Sequence, residues 1–225
     1  MNRTESFAAV VFDMDGVLID SERVVRDAMI AIAAERGREL PDAVFLSMVG
    51  MTWEASRAIA LSHFGPEFDL AAYDEAVEER VVRELEAGAI LKVGVVEILD
   101  HLDAVAMPRA VATSSARAHV ERWLGKAGIL GRFDAIVARG DYRRGKPAPD
   151  PYLAAAERLG VEPHRCLALE DSHNGVIAAH AAGMTTVMVP DLLPATEEIA
   201  ALCRAVAASL HEVIDLLALA GSGPK

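Results

Sequence analysis

The sequence predicts an α/β fold: a parallel sheet with helices on both faces, and an all-helical cap inserted after the first strand. Three observations predict it. A short apolar run, Phe7 to Phe12, stops abruptly at Asp13-Met14-Asp15-Gly16. Runs of that length, β-branched near their end, read as strands buried on both faces. Residues 20–90 then carry helical spacing alone, and from Leu91 short apolar runs alternate with helix-length segments. That alternation is the pattern of parallel βαβ units. The predicted division is a core domain of residues 1–19 and 91–225 and a helical cap domain of residues 20–90.

Each element has its own signal. Asp13 and Asp15 fall at the carboxyl edge of the first strand, where open α/β sheets bind ligands, and Gly16 allows a tight turn there. Asp20 or Ser21 is placed to cap a helix with Val25, Met29 and Ile32 on one face, ended by Gly37. Pro41 opens a short helix through Met48, which Gly50 breaks. Thr52 caps a third, with Ile59 on its buried side and Gly65-Pro66 closing it. In the fourth, Tyr73, Val77, Val81 and Leu85 recur at spacings of four until Gly88.

The core follows. Val95–Leu102 is helix, and Arg109–Ala112 is a strand ending in Thr113-Ser114-Ser115, with Ser115 capping the helix through Trp123 and Leu124. Phe133–Ala138 is strand, and Asp150-Pro151 starts a helix that Gly160 ends. Cys166–Leu169 is strand running into Glu170-Asp171, and Ser172 or Asn174 begins a helix ending at Gly183. Thr185–Val189 is strand. A helix from Thr196, a strand at Ala205–Ala207, a helix from Ser209 and a frayed tail from Gly221 complete the chain. The helical insert leaves after the first strand and returns before the second. It is therefore expected above Asp13 and Asp15.

Composition narrows the function. Of 225 residues 52% are hydrophobic, enough for a sizeable core, and no apolar stretch is long enough to span a bilayer. No leader-like segment precedes the first strand, so a cytoplasmic protein is expected. A net charge of −12 argues against nucleic acid or an anionic membrane as partner. Cys166 and Cys203 read as two buried thiols, and the seven histidines form no metal-like pair.

Four segments end at the same sheet edge with chemistry attached: Asp13-x-Asp15, Thr113-Ser114, Lys146 in Gly145-Lys146-Pro147-Ala148-Pro149-Asp150, and Glu170-Asp171-Ser172. Each alone has an ordinary reading: a polar turn, a strand end, a solvated loop lysine, a helix cap. Together they make a phosphate and cation site. Close carboxylates repel unless a cation intervenes, and an oxygen-rich pair suits Mg²⁺. A helix N-terminus behind Thr113-Ser114 suits phosphate. Gly140-x-x-x-x-Gly145-Lys146 mimics a nucleotide P-loop, but Pro147 follows where a hydroxyl residue belongs, so no P-loop is expected.

The motifs Val-Val-Phe-Asp-Met-Asp-Gly-Val-Leu-Ile-Asp-Ser-Glu, Gly-Lys-Pro-Ala-Pro-Asp and Leu-Glu-Asp-Ser-x-x-Gly are together highly specific. From Val10 to Val213 the chain resembles the haloacid dehalogenase superfamily, in the helical-cap subfamily of phosphoglycolate phosphatase and β-phosphoglucomutase. The resemblance implies a Rossmann-like core. It implies Asp13 as nucleophile and Asp15 as general acid and base. It implies Mg²⁺ held by the Asp13 and Asp171 carboxylates and the Asp15 backbone carbonyl, with Glu170 completing the shell or holding a metal-bound water. Lys146, the Thr113 hydroxyl and the Ser114 amide would bind phosphoryl oxygens, with Met14 and Gly16 N–H groups as further donors. Gly50, Met51 and Trp53 fall where the subfamily reads its substrate, and cap core is the competing reading. Arg23, Arg26 and Arg57 would meet a substrate anion or stay on exposed helix faces.

The same resemblance sorts the reactions. Dehalogenases of the superfamily lack an acid at the position of Asp15. Phosphonoacetaldehyde hydrolases need a cap lysine, and no lysine precedes Lys92. β-Phosphoglucomutase carries a cap histidine where this chain has Val25 and an arginine where it has Trp53. The expected activity is a Mg²⁺-dependent phosphatase on a small phosphorylated metabolite, with a sugar phosphate as one candidate. The alternatives are a β-phosphoglucomutase-like phosphomutase and a non-catalytic phosphometabolite-binding protein. A monomer or weak dimer is expected.

Overall fold

The structure is a computed structural model that describes residues 7–49, 53–88 and 91–221. Strand β1 (Ala9–Phe12) is followed by four helices, α1 (Ser21–Glu35), α2 (Asp42–Leu46), α3 (Trp53–Phe64) and α4 (Leu70–Ala87). Then come α5 (Val95–Ala104), β2 (Arg109–Ala116), α6 (Arg117–Lys126), β3 (Ala135–Arg139), α7 (Asp150–Leu159) and β4 (Cys166–Glu170). The chain continues through α8 (His173–Ala181), β5 (Thr185–Met188), α9 (Glu197–Leu202), β6 (Ala205–Val206) and α10 (Leu210–Gly221). The strands form one parallel sheet in the order β3-β2-β1-β4-β5-β6. This is the Rossmann-like order, and it reverses between β1 and β4, which opens a crevice at their carboxyl ends. Among the described residues no helix is long and apolar enough to cross a membrane.

Side-chain alternation explains why both sheet faces are covered. Val10, Phe12, Val111, Leu167 and Leu169 point to one face and pack with residues of α5, α6 and α10. Their neighbours Ala9, Val11, Ala110, Ala112, Cys166 and Ala168 point to the other. That second face is built of small residues, so Tyr152, Ala155 and Ala156 of α7 and Ala178 and Ala179 of α8 approach the sheet closely. Cys166 is buried, Cys203 half-buried, and both are free thiols.

Helices α1–α4 have a separate core of Ile32, Leu40, Phe45, Met48, Phe64 and Tyr73 among others. The rings of Phe64 and Tyr73 meet edge-to-face at 5.5 Å. Tyr73 also donates its hydroxyl to the Met29 carbonyl at 2.8 Å, which ties α4 to α1. The two connections to the sheet lie side by side: Ile19 bridges Leu91 in antiparallel fashion, and Lys92 N–H donates to Leu18 O at 3.0 Å.

Several ends differ from expectation, each for a tertiary reason. Strand β2 continues to Ala116, with a register shift after Ala112. Helix α6 therefore starts without a Ser115 cap, because that hydroxyl is used elsewhere. Asp20 makes no side-chain cap bond to α1, and Ser21 likewise turns away. Helix α7 begins at Asp150 with Pro149 before it, and Asp150 accepts from Arg144 rather than capping. Ser172 and Thr196 do cap α8 and α9 through Gly175 and Ile199 N–H. Gly50, Met51 and Thr52 lie outside the described residues, as does the tail beyond Gly221.

Tyr73→Phe removes only the α4–α1 hydrogen bond. It should lower stability by about 1 kcal/mol, read as a melting temperature about 2–4 °C lower in thermal unfolding.

Candidate active site

The site begins where β1 runs out. Asp13 N–H donates to Leu169 O at 2.9 Å, so pairing with β4 extends past the strand's last residue. Met14 is fully buried, which by alternation sends Asp13 and Asp15 to the opposite side. The Met14 carbonyl accepts from both Leu18 and Ile19 N–H and folds the chain back. Gly16 has φ +80° and donates its N–H to Ile19 O at 2.9 Å, so it is not an open donor for phosphate. A Cβ on Gly16 would lie 2.2 Å from Asp171 Oδ2. The glycine thus clears the space into which the acid from β4 projects.

The end of β4 is built the same way. Glu170 is completely buried. Its Oε1 accepts from Lys146 Nζ at 2.5 Å and from the Tyr152 hydroxyl at 2.6 Å. Its Oε2 accepts from Asp171 N–H (3.1 Å), Ser172 N–H (3.2 Å) and the Ser172 hydroxyl (3.1 Å). A Cβ on Gly175 would fall 1.9 Å from the Glu170 carboxyl carbon. Both motif glycines therefore answer to a carboxylate from β4.

Lys146 spans the crevice. Its ammonium donates to Asp13 Oδ1 at 2.5 Å as well as to Glu170, with only 7% of its side chain exposed, and it lies 5.1 Å from the Tyr152 ring centroid. The loop that delivers it is pinned at several points. Asp141 accepts from Ala138 N–H, from Arg117 of α6 and from Arg158 of α7. Tyr142 donates to Thr113 O at 3.1 Å, and Arg144 pairs with Asp150 at 2.9 Å.

Asp15 sits apart in a hydroxyl cradle. Its Oδ1 accepts from Ser21 at 2.6 Å, and its Oδ2 accepts from Ser115 at 2.7 Å and Thr113 Oγ1 at 3.3 Å. Thr113 Oγ1 in turn accepts from Ser115 N–H at 3.0 Å. Ser114 has an exposed side chain, and its carbonyl accepts from Arg139 at 2.9 Å.

Charge is concentrated here. Oxygens of Asp13, Glu170 and Asp171, all buried, lie within 4.8 Å of one another. Burial pushes the Asp13 carboxyl well above the usual range; Lys146 pulls against this, while Glu170 and Asp15 add to it. Burial, Glu170, Glu22 and Asp13 push Asp171 up as well. Burial disfavours the Lys146 ammonium, but Asp13 and Glu170 outweigh it and hold the proton more tightly than in water. Three buried carboxylates facing one ammonium leave negative charge uncompensated. An oxygen donor set of this kind fits Mg²⁺.

The structure thus gathers Asp13, Lys146, Glu170 and Asp171 into one buried group, with Asp15 and Thr113 beside it, whereas Ser114 is exposed and its carbonyl is held by Arg139. Gly50 lies outside the described residues; Trp53 opens α3, and its side chain is likewise not described. Arg23 pairs with Asp20 and Asp191, Arg26 with Asp27, and Arg57 with Asp74. Sequence reasoning missed Ser21, Ser115 and Tyr152. The serines adjoin recognised motifs but resemble helix caps, and Tyr152 carries no local signal because its partner comes from another strand.

Comparison with known proteins shows the family. Residues 7–183 match the family model for haloacid dehalogenase-like hydrolases. Fructose-1-phosphate phosphatase YqaB of Escherichia coli is 34% identical over 191 residues, covering 82% of this chain and 97% of the relative. A probable pseudouridine-5'-phosphatase of Drosophila melanogaster is 37% identical over 188 residues, covering 80% of each chain. A hydrolase of the haloacid dehalogenase family from Deinococcus radiodurans, solved with bound phosphate and sodium, superposes with a TM-score of 0.79. It is 30% identical, and the match covers 96% of this chain and 97% of that one.

Two tests follow from the packing. Gly175→Ala forces a methyl group onto the Glu170 carboxylate and should cost about 1–3 kcal/mol in denaturant unfolding. Asp141 tests the loop: burial pushes its carboxyl up, but the Ala138 N–H, Arg158 and Arg117 outweigh that and hold it down at about 2. A depressed carboxyl stabilises the fold above its unfolded pKa, and that contribution disappears as pH falls through the folded value. Asp141→Asn should therefore melt below wild type at pH 6, and the gap should close between about pH 4 and pH 2.

Proposed function

The chain belongs to the haloacid dehalogenase-like hydrolases, and we propose that within them it is a Mg²⁺-dependent phosphatase working through an aspartyl-phosphate on Asp13. Its relatives make it a phosphoric monoester hydrolase of small phosphorylated molecules. The observation that carries the finer reading is the Lys146 ammonium held at 2.5 Å from both Asp13 and Glu170. A phosphoryl group brought there meets a nucleophile and a fixed positive charge together.

In this reading Asp13 attacks phosphorus, and its orientation is set by Lys146 through Oδ1. An ammonium has three N–H donors. Two go to Asp13 and Glu170, and the third binds a phosphoryl oxygen, as do the Thr113 hydroxyl and the Ser114 amide. Asp15 gives a proton to the departing alcohol oxygen and later takes one from the attacking water. Ser21 and Ser115 keep it aimed through both steps, and Thr113 turns its single hydroxyl proton from Asp15 to the phosphoryl oxygen. Asp171, Asp13 and the Asp15 backbone carbonyl would hold Mg²⁺. Glu170, with both oxygens engaged, would serve by fixing Lys146 and the start of α8. The ion supplies positive charge that lets an anionic carboxylate meet an anionic ester. Helices α1–α4, which stand between β1 and β2, serve as the lid that excludes water.

A putative β-phosphoglucomutase of Thermotoga maritima has the same fold, with a TM-score of 0.78 at 27% identity, and keeps the phosphomutase as the second reading. The position expected to hold its cap histidine is Val25, a wall of the cavity beside Asp15.

Hydrolysis of p-nitrophenyl phosphate should require Mg²⁺, vanish with EDTA and return on Mg²⁺ addition. Asp13→Asn should lower kcat by roughly a thousandfold or more with the fold intact by circular dichroism. Turnover persisting in that variant overturns the nucleophile assignment. Isomer formation from a sugar phosphate without release of inorganic phosphate would replace hydrolysis by mutase chemistry.

A further inference from the structure

Beside Asp15 lies a cavity of about 340 Å³, at the small end for ligand sites. Asp15, Ser21 and Ser115 belong to its reacting end, and the rest is formed largely by α1–α4. With the proposed phosphatase reading as its basis, this space receives whatever alcohol the phosphate leaves behind.

The walls have a definite chemistry. Val25, Met29, Phe45, Met48, Val49 and Ala60 line the cavity with hydrocarbon and thioether. Tyr73 offers only its ring, because its hydroxyl already donates to Met29 O. Ser56 donates to Met48 O, and Ser21 and Ser115 donate to Asp15. Among the described residues Arg57 is the single cation lining the space, and it is paired with Asp74. Glu22, Asp15 and Asp74 are its acids, and burial pushes the Glu22 carboxyl up to about 7. Two buried polar atoms in these lining residues have no hydrogen-bond partner, Trp123 Nε1 and Glu22 Oε2.

A polyol placed here buries several hydroxyls against walls whose hydroxyl donors, among the described residues, are already spent, and each unsatisfied hydroxyl weakens binding. A carboxylate or second phosphate meets three acids and an arginine already paired with one of them. An apolar body fills the space without either penalty, and the two unpartnered atoms leave room for one or two polar substituents. We infer that the alcohol carried by the phosphate is uncharged and largely apolar, alkyl or aryl, rather than a polyol, a carboxylic acid or a bisphosphate.

The test compares kcat/KM of the wild-type enzyme with Mg²⁺ for benzyl phosphate, glucose 6-phosphate and phosphoglycolate. Each leaving group is a poorly activated alcohol, so the ratios report the cavity more than bond strength. Benzyl phosphate should lead both others by about tenfold or more. Benzylphosphonate should inhibit p-nitrophenyl phosphate hydrolysis at least about fivefold more tightly than methylphosphonate. Met29→Gln should narrow both ratios. Preference for glucose 6-phosphate or phosphoglycolate, or ratios near one, overturns the inference and leaves the phosphatase standing. If no ester is turned over, the phosphatase reading fails instead. Calorimetric binding of the two phosphonates then decides the cavity's preference alone, and equal affinities overturn it.

Discussion

A single ammonium group between two buried carboxylates is the constraint around which the site is arranged. Lys146 is drawn out of water only because Asp13 and Glu170 receive it, and its charge pulls against the burial that pushes the Asp13 carboxyl up. Each partner comes from a different part of the chain, so the contact closes only when β1, β4 and the loop after β3 are all in place. Much of the neighbouring structure serves that closure. Tyr152 shares Glu170 with the lysine, and Arg117 and Arg158 hold Asp141 at the start of the loop. The ammonium does not balance the full charge, which is why a divalent ion suits the oxygens of Asp13 and Asp171.

The sheet supplies the crowding that makes these positions definite. Strands β1 and β4 are neighbours at the point where strand order reverses, so their terminal acids must share a narrow space. Two side chains are removed to make that space: a methyl group on Gly16 would strike Asp171, and one on Gly175 would strike Glu170. The small-residue face of the sheet acts in concert, since Ala9, Ala110 and Ala168 let α7 carry Tyr152 close enough to reach Glu170. The hydroxyls around Asp15 do for the second acid what Lys146 does for the first, without adding charge.

Much of this was legible in the chain because it is written locally. The unbroken apolar run through Val10-Val11-Phe12, the capping serine before Gly175 and the spacing of Tyr73, Val81 and Leu85 each declare an element without help from elsewhere. The four motif segments could be assigned to one edge because parallel topology sends every strand's carboxyl end to the same side. What stayed hidden depends on partners distant in sequence. Ser115 reads as a helix cap until β2 is seen to run past it and turn its hydroxyl to Asp15. Asp150 reads as a cap until Arg144 claims it. Gly16 reads as an amide donor until its N–H is found bonded to Ile19.

The paired exits beside the sheet have an evolutionary consequence. Ile19 and Leu91 touch, so the intervening helical stretch leaves and returns at one place, and beyond it Val81 and Leu85 of α4 pack against the sheet's core while Arg122 of α6 pairs with Glu86. Changing the length of that stretch beyond Ser21, which must stay to hold Asp15, would leave strand order intact, because loop-closure cost rises only slowly with length. Selection can therefore alter the helical lining while the acids at the strand ends are inherited with the sheet.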